Sequence, residues 1–282
     1  MKEIPVFYTD SMVADSQSFS PSASKPKHAV ESWLQLGIPI NVMAPEPAEI
    51  DDLCRVHDVE YVNDVLACKR DNGFGNRLPA VAQSLIHTNG AMITAAAWAL
   101  GNNAVAVAPC SGFHHAGYYE GEGFCTFNGL MVTAKALLHS GLVERVGILD
   151  FDQHYGNGTD DIIRTLNAGA WIKHYTAGAH YHSPDQAEKF LDDIPDILAH
   201  MHDCDVILYQ AGADPHIDDP FGGWLTIEQL AERDRIVFEA CHNLDIPVAW
   251  NLAGGYQSPL RKVLDIHDNT MKACWNVFGQ HD

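Results

Sequence analysis

Nothing in this sequence approaches the roughly 18 uninterrupted apolar residues of a membrane span. It has no internal repeat, heptad run or low-complexity linker, and its start, Met1-Lys2-Glu3-Ile4-Pro5-Val6-Phe7, lacks a signal-peptide layout. The expectation is a soluble, cytoplasmic protein without membrane partners. Basic residues are scarce: 17 Lys and Arg stand against 37 Asp and Glu, for a net charge of -20. The lack of a basic stripe to displace phosphate counterions argues against non-specific nucleic-acid binding, so no nucleic-acid partner is expected, and cationic ligands are favoured by steering. A C-x-x-C pair is also missing. The seven cysteines are odd in number, scattered and mostly set in apolar runs, as in Val65-Leu66-Ala67-Cys68, which argues for reduced, buried thiols rather than a disulfide framework.

What is present is apolar bulk. The chain has 282 residues that are 46% hydrophobic and only 19% charged, enough for one large core, so a single domain over 1–282 is expected. Short β-branched runs at Ile4–Tyr8, Ile38–Met43, Ala104–Ala108, Val146–Phe151, Val206–Gln210 and Pro247–Leu252 read as buried strands. Between them, Ala80–Leu100, Asn128–His139, Asp185–His202, Thr226–Leu244 and Leu260–Val277 read as helices. Alternation of strand and helix implies an α/β three-layer open sandwich, a mostly parallel sheet with helices on both faces. The Ser/Pro-rich stretch Ser16–Pro26 is expected to be a loop.

In such a sheet the carboxyl ends of the strands form ligand sites, and here they carry unusual residues. The run Val146 to Leu149 ends in Asp150-Phe151-Asp152-Gln153-His154; in an extended chain Asp150, Asp152 and His154 project to one side. Carboxylates and an imidazole gathered there are costly unless a divalent cation compensates them. Asp214 follows the strand Val206–Gln210 after small residues. If the two strands are neighbours, Asp152, His154 and Asp214 form an oxygen-rich three-ligand metal site with open positions, suited to Zn²⁺ and admitting Fe²⁺ or Co²⁺. The strand Ala104–Ala108 leads to His114-His115 on a Gly-rich loop, a base and an acid or electrostatic partner. A last strand breaks into Gly254-Gly255-Tyr256, whose phenol can serve a developing oxyanion. Singly, each motif has a plain structural reading: a polar strand end, a turn aspartate, an incidental His pair, a glycine turn. Glu120 and Glu122 read as solvated loop carboxylates, and His180, His182 and His216 as loop or rim histidines.

In this order, from about Tyr8 to Tyr256, the motifs resemble the histone deacetylase and acetylpolyamine amidohydrolase family. The matching segments are His57-Asp58-Val59-Glu60-Tyr61, Gly112-Phe113-His114-His115-Ala116, Gly123-Phe124-Cys125, Asp150 to Gly158, Gly212-Ala213-Asp214 and Gly254-Gly255-Tyr256. The resemblance implies an arginase-like fold with an eight-stranded sheet. It implies metal ligands Asp152, His154 and Asp214; a general base His115 with Asn157 behind it; His114 oriented by Asp150; and Tyr256 as oxyanion donor. Phe124 is then one aromatic wall of the substrate tunnel, with Gly123 and Gly254 as further substrate-binding positions. The implied function is a zinc-dependent deacylase acting on a small-molecule or peptide acylated amine, with homo-oligomerisation left open.

The chain departs from the family pattern at several points. Asn157, where many relatives carry Asp, gives His115 a neutral partner and leans the resemblance towards class II-like bacterial members. Gln153 and Tyr155 replace an apolar residue and a second His. The segment Ile172-Lys173-His174 offers no hydroxyl, which weakens a K⁺ site near Asp150 and Asp152. The motifs do not assign the second tunnel wall; Ala179, His180 and Tyr181 fall near its position without a fixed register. Two alternatives remain: an arginase-type ureohydrolase with a two-metal cluster, and a non-catalytic, metal-containing binder of acylated amines.

Overall fold

The computed structural model describes residues 1–279, so residues 280–282 of the expected domain lie outside the described part. Its strands are β1 (Ile4–Phe7), β2 (Ile40–Met43), β3 (Val105–Ala108), β4 (Val146–Asp150), β5 (Ile172–Thr176), β6 (Val206–Gln210) and β7 (Val248–Asn251). They join in one sheet of order β2-β1-β3-β7-β6-β4-β5, and each pairing is parallel. Among the described residues the sheet thus has seven strands, where eight were expected. The edge strand β2 is half-exposed, and beyond β5 lies a groove lined by Lys173, Tyr175, Ile197 and His200 rather than another strand. β5 is also the strand that the apolar runs do not announce. Three of its residues are only partly buried, as an edge position allows, so Lys173, His174 and Tyr175 interrupt any hydrophobic pattern.

The helices are α1 (Lys25–Trp33), α2 (Ile50–Cys54), α3 (Val59–Leu66), α4 (Pro79–Asn102), α5 (Gly129–His139), α6 (Asn157–Thr165), α7 (Ala187–Ala199), α8 (Ile227–Asn243) and α9 (Arg261–Phe278). Their ends follow local chemistry. Pro79 opens α4 where its missing N–H costs nothing, and Asn103 ends it in the left-handed region at φ 47°. Thr226 and Gln229 cap α8 reciprocally. The Ser16–Pro26 stretch is not wholly loop, because Lys25 and Pro26 form the first turn of α1, where proline is at home.

Successive residues of a strand point to opposite faces, and this divides the core in two. Val105, Val107, Ile207, Tyr209, Val248 and Trp250 pack with residues of α1, α7, α8 and α9. Ala106, Ala108, Val206, Leu208 and Ala249 pack with α3, α4 and α5 on the other side. With both faces covered, the central strands are apolar throughout, and polar residues appear only where strands stop. No described helix is long and apolar enough to cross a membrane.

Candidate metal centre and catalytic cleft

The strands β3, β7, β6 and β4 are consecutive parallel neighbours, so their carboxyl ends lie side by side at one edge of the sheet. β4 stops at Asp150 and the chain then bends, so that Asp150 and Asp152 approach different nitrogens of His114, with Nε2 3.6 Å from Asp152 Oδ1. Asp150 turns to His114, whose Nδ1 donates to Oδ2 at 2.7 Å, while its Oδ1 accepts from Gln210 Nε2 at 2.9 Å and from the Asp152 N–H at 3.2 Å. Asp152 and His154 instead meet Asp214 from the end of β6. One ligand atom from each of the three lies within 4.8 Å of the others, the one such group of His, Cys, Asp or Glu found among the described residues.

Is this group fit for a metal? His154 Nδ1 lies 3.1 Å from Asp152 Oδ1 and 3.2 Å from Asp214 Oδ2. Buried Asp214 Oδ2 nevertheless receives no well-aligned hydrogen bond. Asp152 Oδ2 accepts from the Gly254 N–H at 3.1 Å and Asp214 Oδ1 from the Gln153 N–H at 3.2 Å, so backbone donors aim both carboxylates. Two carboxylates and an imidazole with a poorly served buried oxygen suit a divalent cation.

The hydrogen bond to Asp152 and the close approach of the Asp214 carboxylate raise His154 to about 11. Burial and the Asp152 charge raise the Asp214 carboxyl, whereas for Asp152 the attraction of His114 and His154 outweighs burial and holds it low. Burial opposes protonation of His114, but the charges of Asp150 and Asp152 raise it to about 9. Its neighbour behaves oppositely: burial and the His114 charge lower His115. His115 Nδ1 donates to Asn157 Oδ1 at 2.6 Å, which leaves Nε2 as the lone-pair nitrogen. Two adjacent imidazoles therefore have separated protonation tendencies, the arrangement wanted for a base beside a cationic partner.

Two buried cations brace this floor, and sequence reading passed over both. Lys25 Nζ donates to Ala253 O and, at 2.6 Å, to Gly254 O, holding the turn that carries Tyr256; burial lowers its ammonium to about 8. Arg233 Nη1 donates to Gly212 O at 2.7 Å and Phe151 O at 3.1 Å, tying together the segments that bear Asp214 and Asp152. Its charge is met by Asp234, fully buried like Arg233 itself, which also accepts from Tyr209 and Thr270. Removing one member of such a pair typically costs about 3–5 kcal/mol. Helical spacing marks Arg233 and Lys25 only as polar intrusions in amphipathic helices, so their targets are invisible before folding.

An aromatic collar surrounds the mouth. Phe124 packs 5.6 Å from Tyr256, centroid to centroid, 5.4 Å from Phe19 and 5.8 Å from Phe74, while Phe221 packs 4.8 Å from Tyr256 and 6.3 Å from His154. Phe19 also packs 5.9 Å from Phe221, and these two rings are 74% and 47% exposed. In the segment 179–181, Tyr181 is buried against Phe190 and Trp224, and His180 stacks on Tyr175. His216 Nδ1 accepts from the Asp218 N–H. Tyr256 is itself fixed through its N–H, which donates to Asp219 Oδ2 at 2.8 Å; burial and the nearby Asp214 and Asp152 charges raise its phenol.

Phe124 reaches the collar from a tight turn, Glu122 to Cys125, closed by the Cys125 N–H donating to Glu122 O at 2.8 Å. Both central residues have positive φ, 55° at Gly123 and 66° at Phe124. Gly123 is required sterically as well, since a Cβ would sit 2.5 Å from His115 Cδ2. Two residues beyond Ile172-Lys173-His174, Thr176 pairs in register with Asp150, and its hydroxyl accepts from the Gly156 N–H at 3.1 Å. Both side-chain oxygens of Asp150 accept hydrogen bonds.

Comparison with known proteins follows this geometry. Residues 22–187 and 174–272 match the family described as the histone deacetylase domain. An uncharacterized protein of Picosynechococcus sp. is 28% identical over 264 residues, covering 85% of this chain and 87% of that protein. A probable deacetylase of Archaeoglobus fulgidus is 35% identical over 130 residues, 44% of this chain and 36% of that protein, so the match spans about a third of that relative. Among solved structures, the HDA15 HD domain superposes with a TM-score of 0.78 at 18% identity, covering 100% of this chain and 90% of that one. An acetylpolyamine aminohydrolase from Burkholderia pseudomallei gives 0.77 at 16% identity, with 98% and 99% covered.

Proposed function

This chain belongs to the histone deacetylase family, and from that premise we propose that it is a zinc-dependent deacylase, hydrolysing an acetyl or similar acyl amide of a lysine-like or polyamine-like amine to amine plus carboxylate. Its open parallel sheet is of the arginase/deacetylase type. The observation that carries the proposal is that the ring of His115, whose Nε2 is left free by the bond from Nδ1 to Asn157, lies 5.8 Å from that of His154 in the Asp152, His154 and Asp214 group.

Asp152, His154 and Asp214 would hold Zn²⁺, which when bound polarises the scissile carbonyl and acidifies water towards a pKa of about 7. Fe²⁺ or Co²⁺ satisfies the same donors. His115 Nε2 accepts the proton of the attacking water as its oxygen bonds to the acyl carbon. His114, held by Asp150, is the electrostatic partner beside it. The Tyr256 hydroxyl donates to the developing oxyanion, and because burial raises its phenol it keeps its proton while doing so. His115 then returns the proton to the nitrogen as the C–N bond breaks, releasing amine and carboxylate. Phe124 and Phe221 grip the alkyl stem of the amine, and the net charge of -20 favours its positive end. Seven free cysteines agree with a reducing cytoplasm.

The test is hydrolysis of acetyl-lysine peptides, acetylpolyamines and aryl amides by metal-defined protein, beside Tyr256→Phe and His115→Ala. Metal-dependent turnover that Tyr256→Phe lowers by about a hundred- to a thousandfold is expected. Metal binding without hydrolysis anywhere on the panel would instead favour a non-catalytic binder. An arginase-type ureohydrolase calls for a second metal, and the described residues offer one ligand group of the required kind.

A further inference from the structure

The neutral residue behind His115 is not the end of its hydrogen-bond chain. Asn157 accepts from His115 Nδ1 at 2.6 Å, and its own Nδ2 donates to Glu122 Oε1 at 2.7 Å. We propose that Glu122 is a positioning residue for the catalytic base, acting through Asn157 to fix the tautomer of His115. This inference rests on the deacylase reading only in giving that tautomer its purpose.

The logic is one of donors and acceptors. An amide has one donating end and one accepting end, and a carboxylate only accepts. Glu122 therefore holds the NH₂ of Asn157 towards itself and the carbonyl oxygen towards His115. That oxygen can be satisfied only by an Nδ1–H, which leaves the lone pair on Nε2. Without an anchor the amide could turn over, present its NH₂ to His115 and drive the proton to Nε2, where it would disable the base. Glu122 also polarises the amide, so a carboxylate supports positive charge on His115 at one remove.

Glu122 is solvent-exposed but not loosely held. It opens the positive-φ turn described above, which at once lays Gly123 against the His115 ring and sends Phe124 to the collar. The turn is tied down by the Phe124 N–H donating to Gly73 O at 2.9 Å and by Tyr61 donating to Thr126 O at 2.6 Å. Cations in the adjoining groove are engaged elsewhere: Arg77 pairs with Asp71 at 2.6 Å, and Arg70 lies 5.1 Å over the Tyr61 ring. Glu122 is thereby left to Asn157, and it is not the solvated loop carboxylate that its sequence setting suggests.

Glu122→Gln is the discriminating variant, because a glutamine amide can donate to Asn157 Oδ1 and so permits the reversed amide. In zinc-loaded protein assayed on an acetyl-lysine peptide, kcat should fall by about tenfold or more, with KM within about twofold and zinc content unchanged. Nitrogen NMR of the His115 ring should show Nδ1–H in the wild type and a mixture of tautomers in Glu122→Gln. Adding Asn157→Asp, which can only accept, should restore the Nδ1–H form and make the residue at 122 indifferent. Unchanged kcat together with an unchanged tautomer in Glu122→Gln overturns the assignment. A wild-type protein that turns over nothing overturns the deacylase reading instead, and the tautomer measurement, which needs no turnover, still decides the part played by Glu122.

Discussion

Gly254 and Asp214 are packed so closely that a Cβ on the glycine would lie 2.1 Å from the Asp214 carboxylate. The same glycine donates its N–H to Asp152 and gives its carbonyl to Lys25, so it touches both acidic residues of the ligand group without contributing a side chain. Backbone is used here because nothing larger fits between β6 and β7 at this point.

Gly254→Ala should accordingly displace Asp214 and weaken metal binding by about tenfold or more, the scale seen when supports of a metal ligand are lost. Overpacking should cost about 1–3 kcal/mol of stability while leaving the fold intact. Metal titration of the chelator-stripped variant, with circular dichroism as the control, checks both. Wild-type affinity would mean that Asp214 has room to move and contradict the packing.

Acid should destabilise the protein through His57, far along the chain from the ligand group. This buried ring donates from Nδ1 to Gly117 O at 2.8 Å and accepts at Nε2 from the Asn128 N–H at 2.9 Å, so it fits only as the neutral form. Burial, partly opposed by the Gly117 hydrogen bond, lowers it to about 4 from 6.5. The unfolded chain therefore binds a proton first as pH falls. Stability from this group is full above pH 6.5 and is lost as pH falls towards 4, by about 3 kcal/mol in all. Urea unfolding across that window should show His57→Gln, which keeps a donor and an acceptor but does not titrate, losing less than the wild type. Parallel losses would exclude His57 as the cause.

On the deacylase reading, Phe221→Ala should act on substrate capture. Removing one face of the collar takes away about 1–2 kcal/mol of apolar contact, so KM should rise by about fivefold or more with kcat within about twofold. Steady-state kinetics on a long-stemmed acetyl-lysine peptide and a short aryl amide separate the contributions, since only the former spans the collar. A fall in kcat at constant KM would show that Phe221 serves instead to hold the Tyr256 ring, 4.8 Å away.

Much of this was legible before folding because it is local. Buried parallel strands must be apolar along their length, so β1, β3, β4, β6 and β7 announce themselves, and the polar residues that end them stand out by contrast. Asp152 with His154, His114 with His115, and Tyr256 after two glycines are each readable within a few residues. Their order carried the family resemblance. The edge strand β5 escaped, since an edge need not be apolar, and α1 was masked by the serines and prolines that precede it.

Partnership was a different matter. Asp150 and Asp152 are two residues apart and look equivalent, yet after the bend Asp150 binds His114 Nδ1 while Asp152 enters the ligand group, 3.6 Å from His114 Nε2. The collar draws Phe19, Phe124 and Phe221 from three separate loops, and Lys25, Arg233 and Glu122 act on segments far from them in sequence. By itself the sequence determined the elements and the chemistry each strand end carries, because hydrophobic period and motif spacing are properties of neighbouring residues. Only the tertiary structure decided which polar group meets which, because a hydrogen bond depends on a few tenths of an ångström between parts of the chain that sequence alone does not bring together.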